Sequence, residues 1–200
     1  MKTIGLFGGT FDPIHTGHIA IAESVCSACK LDQVQFIPCF KPPHRTPPLA
    51  SPQDRINMVK LAIAHHPTLT LNDIEMRAQT ISYTYETALA LRKEYPNDSL
   101  CFIMGDDSFA SFYEWDKANV ILENVNIIVV TRGQPPLQHA LSSVEDLHNS
   151  SAGVIYHHTI TPILISATAI RDHLAQGKTD RPELNPDVQK YILNHRLYTL

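Results

Sequence analysis

The order in which short apolar runs and longer amphipathic runs follow one another constrains this chain most. Residues 3–7, 34–38, 100–104 and 127–131 are runs of about five residues, apolar almost throughout, and read as buried strands. Residues 69–71 and 154–156 are weaker strand candidates. Between them the period changes to that of a helix. Residues 16–30 carry Ile21, Val25 and Ala28 or Cys29 on one stripe. Ser51-Pro52 reads as an N-cap followed by proline at the first helical position, and Ile56, Val59, Leu61 and Ile63 continue that helix. Residues 83–95, 119–123, 167–175 and 186–194 read as further helices. Strands alternating with helices predict right-handed β-α-β units on a parallel sheet. Residues 40–52 contain the pairs Pro42-Pro43 and Pro47-Pro48 and are expected to be extended. Residues 133–153 are polar and proline-bearing and suggest no element.

Two hundred residues suit one domain, 1–200, whose C-terminal helical part spans about 166–200. A net charge of −4 and the lack of a basic patch with interleaved aromatics argue against a nucleic-acid binder. No apolar run approaches the roughly 18 residues of a membrane span. The N-terminal apolar stretch ends at Gly8-Gly9, too short for a signal-peptide core, so a cytoplasmic protein is expected. Cys26 and Cys29 form a C-x-x-C without a second pair at zinc spacing, and read as small core residues. His65, His66, His139, His148, His157 and His158 read as surface or structural. The sequence leaves open whether the chain forms a homo-oligomer.

Ligands of open parallel sheets sit at the carboxyl ends of the strands. Here those ends are Gly8-Gly9-Thr10, residues 36–45, Gly105-Asp106-Asp107 and Thr131-Arg132. The first is the most informative. Gly8-Gly9-Thr10-Phe11-Asp12-Pro13-Ile14-His15-Thr16-Gly17-His18 joins a strand to a helix. Two glycines let backbone approach a ligand, and the free N–H groups of the helix start favour an anion. His15 and His18, three apart, share one face of that helix start, and Gly17 between them leaves room for a phosphate or purine. The pattern is neither G-x-G-x-x-G nor a P-loop, and two imidazoles stand where a P-loop has lysine. Ser166, Thr168 and Arg171 open a late helix, where hydroxyls and a guanidinium fork suit phosphate oxygens.

Residues 8–18 resemble the signature of the H-x-G-H nucleotidylyltransferases. Four further segments make the chain similar to the bacterial nicotinate-nucleotide adenylyltransferase family over nearly its whole length. These are Pro42-Pro43-His44-Arg45, Ser82-Tyr83-Thr84 with Thr87, Gly105-Asp106-Asp107 with Trp115, and Ile165-Ser166-Ala167-Thr168-Ala169-Ile170-Arg171. Tyr191-Ile192 and Leu197-Tyr198 fit the family's ending. The resemblance implies an α/β, Rossmann-like, doubly wound parallel sheet with helices on both faces and a small C-terminal helical subdomain. It also implies transfer of the AMP moiety of ATP to nicotinate mononucleotide, giving nicotinate adenine dinucleotide and pyrophosphate in NAD biosynthesis.

By that resemblance His18, His15 and Arg171 are catalytic. ATP would be bound by Gly8, Gly9, Thr10, Phe11, His15, His18, Gly105, Asp107, Ile165, Ser166, Thr168 and Arg171. The mononucleotide would meet Thr10, Lys41, His44, Arg45, Thr84, Trp115, Asp116 and Arg132, with Trp115 stacking on the pyridine ring. Asp116 departs from the aromatic residue common after that Trp, and its side chain is expected to face away. Mg²⁺ is expected on the substrate phosphates, with no protein ligand. Two other readings stay open: a sister enzyme using nicotinamide mononucleotide or another phosphate acceptor, and a non-catalytic nucleotide-binding regulator.

Overall fold

The computed structural model describes residues 1–43, 46–132 (Arg132 by its backbone) and 142–199. Among them one parallel sheet is formed by β1 (Thr3–Gly9), β2 (Gln33–Pro38), β3 (Leu69–Leu71), β4 (Ser99–Gly105), β5 (Asn126–Arg132) and β6 (Ile155–Ile160). Their order across the sheet is β3-β2-β1-β4-β5-β6, and each neighbouring pair is parallel. The helices are α1 (Thr16–Ala28), α2 (Pro52–Ile63), α3 (Ile74–Ala78), α4 (Thr84–Glu94), α5 (Asp106–Ala110), α6 (Ala118–Asn124), α7 (Val144–Asn149), α8 (Ala167–Ala175) and α9 (Pro186–Asn194). Strand order reverses between β1 and β4. In open sheets of this order ligands sit at such a switch point, above the carboxyl ends of the strands.

Side chains alternate strictly across the sheet. Ile4 and Leu6 of β1, Leu100 and Met104 of β4, and Ile127 and Val129 of β5 pack with Ala88 and Leu91 of α4 and Ile121 of α6. Phe7, Cys101, Ile103, Ile128 and Val130 face the other way, onto Ala22 and Val25 of α1 and Met58 and Val59 of α2. Both faces are therefore covered, which is why the strands read as continuous apolar runs. Each fully buried Leu, Ile or Phe contributes about 1.5–3 kcal/mol. Ile170 and Leu174 of α8 and Val188 and Ile192 of α9 join that second cluster, so the C-terminal helices share the core of α1 and α2. Cys26, Cys29 and Cys101 are buried free thiols. Burial pushes Cys29 up to about 12 and Cys101 up to about 11, as expected of packing residues.

The long elements lie where the apolar periods place them. Four short ones do not follow from the sequence. Helices α3 and α5 and the 3₁₀ turn Phe112–Glu114 have five residues or fewer, too few to display a period. Helix α7 falls within the stretch that suggested no element. Its signal is local: Ser143 accepts from Asp146 N and Asp146 accepts from Ser143 N, a capping box. Buried Asn126 then fastens this segment, donating to Ser150 O at 3.1 Å and accepting from Val154 N at 2.9 Å. Strand β6 begins at the candidate 154–156 and runs on through His157-His158-Thr159, whose polarity concealed its second half; among the described residues it is an edge strand paired with β5. Two histidines read as structural are so: His148 bridges Thr3 Oγ1 and Cys29 O, and His158 meets Ser24 Oγ at 2.9 Å. Among the described residues no helix is long and apolar enough to cross a membrane.

Candidate active site at the switch point

The turn after β1 forms the floor of the site. A Cβ on Gly9 would fall 2.8 Å from the ring of Phe11, so only glycine fits beneath that ring. Phe11 has a positive φ of 49° and is 2% exposed, packed edge-on to Phe7 and to His18. Its side chain therefore supports the turn from below, and only its backbone could meet ATP. Thr10 is partly buried, and the Cys39 thiol donates to its Oγ1 at 3.8 Å. Burial pushes the Cys39 thiol up, so it remains a donor. The Thr10 hydroxyl hydrogen is then available for an anion above the turn.

His15 is the N-cap of α1 and His18 its third residue. The backbone N–H of His15 donates to His18 Nδ1 at 3.2 Å, and the two rings stack with centroids 3.7 Å apart. An accepting Nδ1 places the hydrogen of the neutral ring on Nε2. The His18 ring is fixed by stacking on His15 and by the edge of Phe11. Gly17 is buried, and a Cβ there would lie 3.0 Å from the His15 ring and 3.1 Å from Ile163. The expectation that Gly17 leaves room for a ligand is corrected: the space is taken by the protein's own side chains.

Two buried residues that the motifs did not single out hold this turn. Asp12 is 6% exposed, and its carboxylate accepts from Leu49 N at 2.8 Å, Ala50 N at 3.0 Å and Tyr198 Oη at 2.7 Å. It ties the turn to the end of the proline-rich segment and to the C-terminus. Arg55 is fully buried. Its guanidinium donates to Thr10 O at 2.9 Å, Cys39 O at 2.6 Å and Phe40 O at 3.2 Å, joining the ends of β1 and β2. Arg55 had a sequence signal. It lies on one stripe with Met58, Val59 and Ala62, the buried face of α2, where an arginine needs a partner. Tyr198 shows only as part of the C-terminal ending, and Asp12 only as the middle of a motif.

The start of α8 reaches the same place. Arg171 donates to Asp12 O at 2.7 Å and to Thr168 Oγ1 at 3.1 Å, across 159 residues of sequence for the first bond. Ser166 is the N-cap, accepting from Ala169 N at 3.5 Å. Ser166 and Thr168 are exposed, whereas Ile165 packs against the core. Thr10, His18 and Arg171 therefore present hydroxyl, imidazole and guanidinium donors around one turn, and Ser166 and Thr168 extend that set.

The β4 side is more open. Gly105 is the N-cap of α5, and a Cβ there would meet nothing within 4 Å. Asp107 is exposed in the first turn of α5. Trp115 is partly buried, in contact with Phe102 and Phe112, and Asp116 beside it is exposed. Thr84 opens α4. Lys117 Nζ stands 4.1 Å from the centre of the Tyr85 ring, which brings the Thr84 and Trp115 segments alongside each other. Lys41 is exposed and bridged to Ile81. His44, Arg45 and the side chain of Arg132 lie outside the described residues.

Comparisons with known proteins agree with this geometry. A model of the cytidylyltransferase-like family matches residues 6–173, from β1 into α8. A Coxiella burnetii protein named "probable nicotinate-nucleotide adenylyltransferase" is 46% identical, covering 98% of this chain and 97% of its own. A Hydrogenobaculum protein of the same name is 37% identical over the same shares. The solved structure of Plasmodium falciparum nicotinic acid mononucleotide adenylyltransferase complexed with NaAD superposes with a TM-score of 0.77 at 19% identity, covering 99% of this chain and 98% of that one, which shows a common fold. With its two-sided parallel sheet and its donor-lined switch point, the chain belongs to the cytidylyltransferase-like family, and within it to the nicotinate-nucleotide adenylyltransferases.

Proposed function

We propose that this chain transfers the adenylyl group of ATP to nicotinate mononucleotide, releasing pyrophosphate and forming nicotinate adenine dinucleotide. The observation that carries the chemistry is the convergence of Arg171 and Thr10 on the turn beside His18, whose Nδ1 is occupied by the His15 N–H. An oxygen of the mononucleotide phosphate attacks the α-phosphorus of ATP and forms the new P–O bond. The bond from that phosphorus to the oxygen bridging it to the β-phosphate breaks, and pyrophosphate leaves. The substrate brings its own nucleophile, so the protein's task is positioning and charge stabilisation.

In this reading His18 Nε2–H donates to the α-phosphate oxygens as charge builds there, with His15 holding the ring in register. The Gly8-Gly9-Thr10 turn and Arg171 with Ser166 and Thr168 receive the remaining phosphates. Gly105 and Asp107 take the adenosine side. Trp115, Thr84 and Lys41, with His44, Arg45 and Arg132, take the mononucleotide, and Asp116 is solvent-facing. Among the described residues no group of three or more His, Cys, Asp or Glu side chains could hold a metal ion. Mg²⁺ would arrive on ATP, bound by phosphate oxygens and water, where it neutralises phosphate charge. The names of the relatives support nicotinate as the acceptor's base.

The test is pyrophosphate release with ATP and Mg²⁺, comparing nicotinate mononucleotide with its nicotinamide analogue at equal concentrations. Strong preference for the acid supports the reading. Equal use or preference for the amide overturns the acceptor assignment, and no release with either overturns the activity.

A further inference from the structure

We infer that Asp12 is a positioning residue that sets Arg171 in register with the turn after β1, and that Tyr198, near the end of the chain, holds Asp12 in place for that task. This role rests on the reading of the chain as an adenylyltransferase in which Arg171 meets phosphate. The donors proposed for phosphate come from two distant stretches of sequence. Thr10 and His18 belong to the turn and the start of α1, whereas Ser166, Thr168 and Arg171 open α8. Their alignment is a tertiary property, and Asp12 serves it with both of its polar groups.

Arg171 donates from Nη1 to the main-chain carbonyl of Asp12 at 2.7 Å and from Nη2 to Thr168 Oγ1 at 3.1 Å. The planar fork is thereby oriented by a carbonyl of the turn and by a hydroxyl of its own helix. Where the fork points depends on where that carbonyl stands, and the side chain of the same residue fixes it. Asp12 Oδ2 accepts from Leu49 N at 2.8 Å, and Oδ1 accepts from Ala50 N at 3.0 Å and from Tyr198 Oη at 2.7 Å. Ala50 is buried directly before Ser51, the N-cap of α2, so the peptide donors come from the packed body of the fold. Burial and the neighbouring Asp12 carboxylate push the Tyr198 hydroxyl up, so it remains a proton donor. The C-terminal part thus meets Asp12 at two points, Arg171 of α8 on the main chain and Tyr198, beyond α9, on the side chain. Other contacts keep that part docked. Thr16 N and Thr16 Oγ1 both donate to Glu183 O, at 2.8 and 3.0 Å, and Ile170, Leu174, Val188 and Ile192 pack in the core. What Asp12 adds is the register of Arg171 with Thr10 and His18, not the attachment.

Calorimetric titration of the full chain with ATP and Mg²⁺, below the melting transition, tests the role through a double-mutant cycle. Tyr198→Phe removes one donor from the carboxylate and leaves the bonds from residues 49 and 50 and the Arg171 fork. It is expected to weaken ATP binding about five-fold when Arg171 is present and less than about two-fold in an Arg171→Ala background, where no guanidinium is left to aim. Asp12→Asn must set an amide donor against a peptide or hydroxyl donor. It is expected to weaken ATP binding about ten-fold or more, with the same collapse of the effect in Arg171→Ala. Tyr198→Phe carries the test alone if Asp12→Asn does not fold. In Tyr198→Phe the KM for nicotinate mononucleotide should stay within about two-fold of wild type. An equal loss of ATP affinity with and without Arg171 overturns the inference, because it marks a contribution to stability alone. So does an unchanged ATP affinity in the variants with Arg171 present. A wild-type chain that neither binds ATP nor transfers its adenylyl group refutes the functional reading itself, and the role of Asp12 falls with it.

Discussion

Replacing Arg55 by methionine is the sharpest test of how the turn after β1 is held. Methionine fills much of the same volume and removes all three donor bonds, leaving the carbonyls of Thr10, Cys39 and Phe40 without their guanidinium partner. A buried acceptor left unsatisfied costs about 1–3 kcal/mol. Three would sum to roughly 3–9 kcal/mol, but Thr10 and Phe40 are partly exposed and can recruit water. Removing a buried cation that has no carboxylate within salt-bridge distance among the described residues also recovers part of its desolvation. The expected net loss is about 4 kcal/mol, and at about 2–4 °C per kcal/mol for a chain of this size the melting temperature falls by about 8–16 °C. The loss is local in origin, so ATP affinity of the still-folded variant should weaken by about ten-fold or more, read by calorimetric titration below the transition. Arg55→Lys reaches one carbonyl at most and should lie between. A methionine variant that melts within about 3 °C of wild type and binds ATP normally would refute the reasoning.

Other expectations follow from the same contacts. His18→Ala removes the Nε2–H donor and should lower kcat by about 10²–10³ with the fold intact by circular dichroism; near-normal turnover would contradict its role. Tyr198→Phe removes one bond to the buried Asp12 carboxylate and should cost about 1.5–3 kcal/mol of stability, read by urea unfolding. Glu75 of α3, whose Oε1 accepts from Thr87 Oγ1 at 2.7 Å, has a folded-state pKa above its ordinary value because burial disfavours the charged form. Its contribution is complete below the ordinary carboxylate pKa and is lost as pH rises through the elevated one. The melting temperature of wild type minus that of Glu75→Gln should therefore decline as pH rises from about 4 to 7; a difference that grows over that range would reverse the sign and contradict the upward shift.

What could be read from the sequence followed physical scale. The doubly wound sheet was legible because β1, β4 and β5 are buried on both faces and α1, α2, α8 and α9 are long enough to show a period and a cap. Ser51-Pro52 at α2 and Ser166 at α8 act as N-caps, as their residue types suggest. Helices α3 and α5 were illegible because five residues show no period, and β6 was legible only at its start, residues 154–156, because an edge strand tolerates the polar residues that follow. At the candidate site, His15, His18, Thr10 and Arg171 come together around one turn, and their spacing is local or familiar in type. Arg55 and Asp12 act through contacts 15 to 186 residues away, and Arg55 left the clearer trace, as a cation on an apolar stripe. Phe11 shows the converse: it stands within the motif, yet its ring packs beneath the turn.

The central claim is that the α-phosphorus of ATP passes to the mononucleotide at the switch point. ATP carrying radioactive phosphorus at the α position, incubated with the protein, Mg²⁺ and nicotinate mononucleotide, tests it directly. The label should appear in a dinucleotide, with one pyrophosphate released per dinucleotide formed, and both should fall together in His18→Ala. Label recovered as AMP, or remaining in ATP, would contradict the account.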